Sequence, residues 1–434
     1  MEHQAVDLVD DEPTGSHGYG PGMQALFLRL VLAGTSLRGA ARVLTLLAEA
    51  LGWGLPVPHW TTGRLWLLRL GHARLRTPKD QANDWAWLID HSVQIGQEKC
   101  LVIVGLRLRD LPPPGQGLAH TDLELIALVP RRSWTRQEVD DALEAAAATT
   151  GVPRVIVDDH GVDISGGVCF FQERHSTTVE IYDAKHKAAC VLKRRLEKNP
   201  RWQDFQARVG PTRCAIQQTE LAFLVPPGPR PKARFMNLAA TLHWASRTLA
   251  LLRQAPAGVP PGVDPQRLHA KLGWLHEFAA DIAEWSEWQA LVDVVVTFAN
   301  RQGVYHGAAG ALRAALPQRP AHGSSATLVD ELVAFVAEQE ARLRRGERFP
   351  ASTEVLESCF GRFKQLEKQQ ARGGFTSLVL GFGALLAETT TQAVKQAMEH
   401  SGTNKIVAWC KEHLGTTLFA QRRLAFAASA TKPG

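Results

Sequence analysis

Three apolar runs, rich together in Val, Ile, Leu and Trp, lie close to one another at residues 84–93, 99–108 and 122–130. No helical periodicity separates them. The gap at residues 94–98 holds Gly96 and suits a hairpin, so the three runs read as antiparallel neighbours. Thr135-Arg136-Gln137-Glu138 is then a capping box that opens an Ala-rich helix to Thr150, and Gly151 ends it. Residues 154–158 and 177–182 are two more strand-like runs, the second followed by a basic helix at 184–196. The order β-β-β-α-β-(α)-β-α predicts an α/β fold: a mixed five-stranded sheet with helices on its faces.

The flanks of this block are helical. Residues 1–20 are acidic and Gly-rich, the composition of a disordered tail. Residues 21–78 read as three helices: 23–33, a second capped by Ser36 and broken at Gly52-Trp53-Gly54, and a third opened by Thr61 or Thr62. That arrangement predicts a helix-turn-helix DNA-binding domain, with Arg64 and Arg69 on the third helix as candidate DNA contacts. Residues 84–212 would form the first part of the core. Strand signals vanish over 213–350, where helical stretches alternate with Pro-rich linkers, so this segment reads as an all-helical insertion. Its Trp244, Trp274, Trp285 and Trp288 read as core. The core would resume with a helix in 351–374, and 375–434 form a C-terminal helical region.

Lys+Arg number 49 against 43 Asp+Glu, a net charge of +6 that is compatible with nucleic acid. The six cysteines show no CxxC pair and read as reduced thiols. With no uninterrupted apolar run of about 20 residues and no signal-peptide pattern, the expectation is a soluble, intracellular protein with no membrane partner.

Three acids carry the chemistry. Asp90 ends the apolar run at 85–89, Asp159 follows the run at 154–158, and Glu357 sits in the late helix, seven residues before Lys364. A carboxylate at the end of a buried strand is costly unless it binds something. If the first and fourth strands are neighbours, about 4.8 Å apart, Asp90 and Asp159 can share a divalent cation. Asp158 and Asp163 compete with Asp159; strand alternation sends Asp158 and Asp159 to opposite faces. Asp163 also reads as a helix cap. Glu357 is favoured over Glu354 because Lys364 shares its face. Asp183 is a helix N-cap or a group beside the metal. Lys185, Lys187, Lys193, Arg194 and Arg195 offer either a phosphate-contacting face or a solvated one. His160 and His186 lack helix-paired ligand spacing and read as polar lining.

Three motifs then carry a resemblance: Trp87-Leu88-Ile89-Asp90-His91-Ser92 before a hairpin, Val155-Ile156-Val157-Asp158-Asp159-His160-Gly161-Val162-Asp163, and the stretch from Ser352 through Glu357 to Lys364. In this order, over about residues 84–375, the chain resembles the DDE-type insertion-sequence transposases, whose catalytic domain is RNase H-like. The resemblance implies a triad of Asp90, Asp159 and Glu357, serving as catalytic residues and as ligands of two Mg²⁺ (or Mn²⁺) ions. It also implies phosphate contacts from Lys364, double-stranded DNA of element ends and target as partners, and a homodimer or larger assembly on DNA. The implied setting is a prokaryotic cytoplasm, associated with the nucleoid. The activity would be cleavage and strand transfer. An RNase H-like nuclease without strand transfer and a domesticated DNA-binding descendant are the competing readings.

Overall fold

The computed structural model describes residues 11, 18–54, 56–95, 98–228, 235, 238–254, 258–259, 261–369, 376–414 and 422–426, with the backbone alone at 92–95 and 98. The tip of the expected hairpin at residues 96–97 and most of the acidic tail lie outside the described residues. The chain divides into two compact units: residues 1–113, 117–181 and 353–434 in one, and 114–116 and 182–352 in the other.

The first unit is built on β1 (Trp85–Ile95), β2 (Glu98–Arg107), β3 (Glu124–Arg131), β4 (Val155–Asp158) and β5 (Val179–Tyr182), in the order β3-β2-β1-β4-β5. The first three strands are antiparallel, and β4 runs parallel to β1 with Leu88 opposite Val157. This mixed sheet, flanked by helices, is the α/β arrangement that the strand order predicts. Alternation divides its two faces cleanly. Trp85, Trp87, Ile89, Leu101, Ile103 and Ile156 join Val139, Leu143, Val168 and Phe171 in one core, contributed by α4 (Arg136–Thr150) and α5 (Val162–Arg174). Ala86, Leu88, Val102, Val104, Val155 and Val157 are buried on the other face.

Thr135 caps α4 by the reciprocal bonds expected of its capping box. Gly166 and Gly167 let α4 and α5 come close, since a Cβ on Gly167 would sit 2.5 Å from Val139. They are packing glycines.

The N-terminal helices α1 (Pro21–Leu32), α2 (Leu37–Leu51) and α3 (Trp60–Arg76) do not stand apart as a helix-turn-helix domain. They pack with helices from the C-terminal end of the same unit. The physical reason is α3 itself: every residue from Trp66 to His72 is buried, which leaves no face of that stretch for a DNA groove. The acidic tail also contributes: the Asp11 carboxylate accepts hydrogen bonds from the Gly22 and Met23 N–H groups at 2.6 and 2.8 Å. An anion at a helix N-terminus satisfies donors that have no partner within the helix.

Among the described residues, the second unit is helical apart from a ribbon of two two-residue strands. It contains α6 (Ala184–Leu196), α7 (Pro200–Ile216), α8 (Leu238–Gln254), α9 (Pro265–Leu272), α10 (Ala279–Gln302), α11 (Ala308–Ala315) and α12 (Gly323–Glu340), with β6 (Val304–Tyr305) paired to β7 (Arg348–Phe349). Its boundary lies earlier than residue 213. The helix α6 packs on α10, and Arg194 and Arg195 both pair with Glu331 of α12. Trp202, Phe205, Phe278 and Trp285 form an aromatic core, Trp202 and Trp285 with ring centres 4.9 Å apart. The tryptophans Trp244, Trp285 and Trp288 are buried as expected.

The chain re-enters the first unit through α13 (Glu354–Lys368), then α14 (Gly381–Leu385), α15 (Thr391–His400) and α16 (Thr403–His413). Among the described residues no helix is long and apolar enough to cross a membrane.

Candidate functional site

Asp90 lies in β1 and is half-buried, two residues beyond Leu88. Because β1 and β4 are parallel with Leu88 opposite Val157, the same two-residue step along β4 reaches Asp159. The two acids therefore occupy equivalent register positions at the same end of the sheet, Asp90 within β1 and Asp159 one residue beyond the end of β4. Asp159 is half-buried, and its Oδ1 accepts the Gly161 N–H at 2.9 Å. Glu357 is half-buried in the first turn of α13, where a carboxylate is stabilised by the helix dipole. The helix α13 packs against β1 and buries Val355, Leu356, Cys359, Phe360 and Phe363. Its Arg362 donates to the Leu32 carbonyl at 2.9 Å, tying α13 to the end of α1. Lys364 is exposed.

Asp158 and Asp159 differ in burial, Asp158 closing β4 and Asp159 lying just beyond it. Asp158 is fully buried, at 0% exposure, and belongs to the series of Ile156, on the face covered by α4 and α5. Its Oδ1 accepts the His160 N–H at 2.6 Å. Burial first, and then the nearby Glu180 carboxylate, push the Asp158 carboxyl well above the usual range. Asp158, His160 and Glu180 bring one ligand atom each to within 4.8 Å of one another. Sequence reading passed over this group. Glu180 lies in a strand-like run far along the chain from Asp158, and His160 has no paired spacing; only the adjacency of β4 and β5 joins them.

Asp163 is accounted for differently again. Its Oδ2 lies 2.9 Å from His91 Nε2 and 3.9 Å from Lys99 Nζ, linking α5 to β1 and β2. Burial lowers the His91 pKa even though Asp163 opposes that shift. Asp183 is the N-cap of α6, accepting the His186 N–H at 2.8 Å.

The basic candidates fare unequally. Arg69 is 9% exposed; its Nε donates to the Ser401 carbonyl at 2.6 Å, and its Nη2 donates to the Met398 carbonyl. Arg64 is half-buried and donates to Ser377 Oγ at 2.9 Å. Burial lowers the pKa of both guanidinium groups. These two arginines hold α3 to the C-terminal segment, a packing role in place of the DNA contacts expected of them. In the second unit Lys187 lies over the Tyr182 and Phe335 rings at 5.7 and 5.5 Å, a cation–π arrangement that occupies its charge. Lys185 is half-buried.

No protein-family model matches the chain, and no curated protein matches it in sequence. Among solved structures, the chain is similar to one in a Drosophila P element transposase strand transfer complex. The two share 10% identity with a TM-score of 0.38, over 91% of this chain and 94% of that one. So loose a likeness assigns no residue a role.

Proposed function

We propose that this chain is a metal-dependent polynucleotidyl transferase, and more narrowly a DDE-type transposase acting on double-stranded DNA through Asp90, Asp159 and Glu357. The observation that carries the reading is the parallel pairing of β1 with β4. It supports the reading because Asp90 and Asp159 each lie two residues past the paired Leu88 and Val157, at one end of the sheet, and α13, which carries Glu357, packs on β1.

The donor set fits Mg²⁺ or Mn²⁺: three half-buried carboxylates supply hard oxygen ligands and leave positions for water and phosphate oxygens. Two such ions would activate the attacking oxygen and stabilise the leaving one. In the first step water bonds to phosphorus, the P–O3′ bond breaks, and a 3′-hydroxyl and a 5′-phosphate result. In the second, that 3′-hydroxyl bonds to a target phosphorus and displaces the target's own 3′-oxygen. The carboxylates orient these oxygens, and the exposed Lys364 offers a phosphate contact from the same helix as Glu357. Transfer joins two ends, so the reading includes a homodimer or larger assembly on DNA.

The test is a cleavage and strand-transfer assay on the DNA ends flanking the gene, with Mg²⁺ or Mn²⁺. It compares the natural chain with Asp90→Asn, Asp159→Asn and Glu357→Gln. Loss of several kcal/mol of charge stabilisation lowers both steps by roughly a hundredfold or more. Full activity in any one variant removes that residue from the site. Cleaved but unjoined products would make the enzyme a nuclease instead.

A further inference from the structure

The Asp158–His160–Glu180 group is not part of the proposed triad, and that reading leaves it without a task. Asp158 is fully buried, and its Oδ2 meets no N–H donor among the described residues, only the side chain of Glu180. A buried carboxylate oxygen without a donor costs free energy unless something positive meets it. Its sister Oδ1 is already engaged by the His160 N–H at 2.6 Å. The nearby Glu180 is another acid, with its side chain 13% exposed. Two carboxylates brought this close require a proton or a cation between them.

His160 decides between the two. Its backbone sits at φ 55°, the one non-glycine residue in the left-handed region among those described, a conformation that a histidine adopts at some cost. This turn carries the imidazole back over the strand end, with Nε2 3.5 Å from Glu180 Oε1. A proton shared between two carboxylates would not need a third donor; a metal ion would use one.

We propose that Asp158, His160 and Glu180 form a binding site for a divalent transition-metal ion of the Zn²⁺ or Mn²⁺ class, separate from the Asp90–Asp159–Glu357 group. One imidazole nitrogen and two carboxylate oxygens are the mixed donor set that such ions favour, whereas Mg²⁺ and Ca²⁺ prefer oxygen alone. Three protein ligands leave room for a water, and the 30% exposure of the His160 side chain gives the ion a way in. Bound there, the ion ties the end of β4 to β5 and fixes the backbone at Asp159. The site stands independently of the transposase reading.

The experiment is calorimetric titration of the metal-stripped full chain with Zn²⁺, and separately with Mn²⁺ and Mg²⁺, paired with thermal melting. The natural chain should bind one Zn²⁺ more tightly than Mg²⁺ and melt at a higher temperature with it. His160→Ala and Glu180→Gln should each weaken that event at least about tenfold, the scale on which even supporting groups act. Asp90→Asn combined with Glu357→Gln should leave it unchanged. His160, the more exposed ligand, provides a variant whose folding is safe even if Glu180→Gln unfolds the strand. Zn²⁺ binding unaltered in His160→Ala, no preference over Mg²⁺, or loss of Zn²⁺ binding in the Asp90/Glu357 double variant would each overturn the proposal. A chain that binds no Zn²⁺ and is stabilised by Glu180→Gln would show a shared proton in its place.

Discussion

Gly71 of α3 and Gly383 of α14 meet backbone to backbone. A Cβ built on Gly383 would lie 2.5 Å from the Gly71 carbonyl oxygen, and one on Gly71 would fall on the Leu380 carbonyl. Neither neighbour is a flexible side-chain end, so the helices must part to admit a methyl group. Gly71→Ala should cost about 1–3 kcal/mol through overpacking, read by denaturant unfolding. Gly361→Ala, in open space on α13, should be neutral or stabilising by up to about 1 kcal/mol. Equal effects at the two positions would refute the close helix contact.

Arg69 poses a sharper question, because its sequence position suggests DNA and its surroundings suggest packing. Arg69→Met would leave the Ser401 and Met398 carbonyls without their charged donor. We expect a stability loss of about 1.5–3 kcal/mol and unchanged DNA affinity at fixed salt for the folded protein. Weaker DNA binding with unaltered stability would restore the helix-turn-helix assignment.

Lys364 should behave in the opposite way. It is exposed, so Lys364→Ala should leave stability within about 0.5 kcal/mol. It should also reduce the salt dependence of DNA binding by about one phosphate contact. A salt slope equal to that of the natural chain would take Lys364 off the DNA surface.

His72 supplies a pH dependence. Its Nδ1 lies 2.6 Å from Ser401 Oγ. Burial, then Arg76 and Lys405, push its pKa down from 6.5 to about 4. The folded state thus holds the ring neutral where the unfolded chain would protonate it. Its contribution to stability is complete above pH 6.5 and is lost progressively as pH falls from there towards 4. The melting temperature should therefore drop between pH 7 and pH 4.5, and His72→Gln should show a smaller drop. An identical drop in both would assign the acid sensitivity to other groups.

What could be read from the residues alone followed from local physics. The strands β1 to β5 announce themselves by apolar runs between turn residues, and α4 by a capping box whose bonds form as written. Alternation along β4 put Asp158 in the series of the buried Ile156, since a period of two belongs to any strand. The arginines were harder. Arg64 and Arg69 look like exposed charges on a polar-started helix, and nothing nearby in sequence reveals that residues 377, 398 and 401 return to cover them. For the basic run in α6 the sequence left a phosphate-contacting and a solvated face open, and it does not reveal that Arg194 and Arg195 meet Glu331 far along the chain.

By itself the sequence determined the order of strands and helices and put acids where the apolar runs of β1 and β4 end, because periodicity, caps and turns act over a few residues. Only the tertiary structure decided which charges face water and which are enclosed. It alone joined Glu180 to Asp158 and His160, because adjacency of strands and burial by distant helices depend on long-range packing that no local pattern encodes.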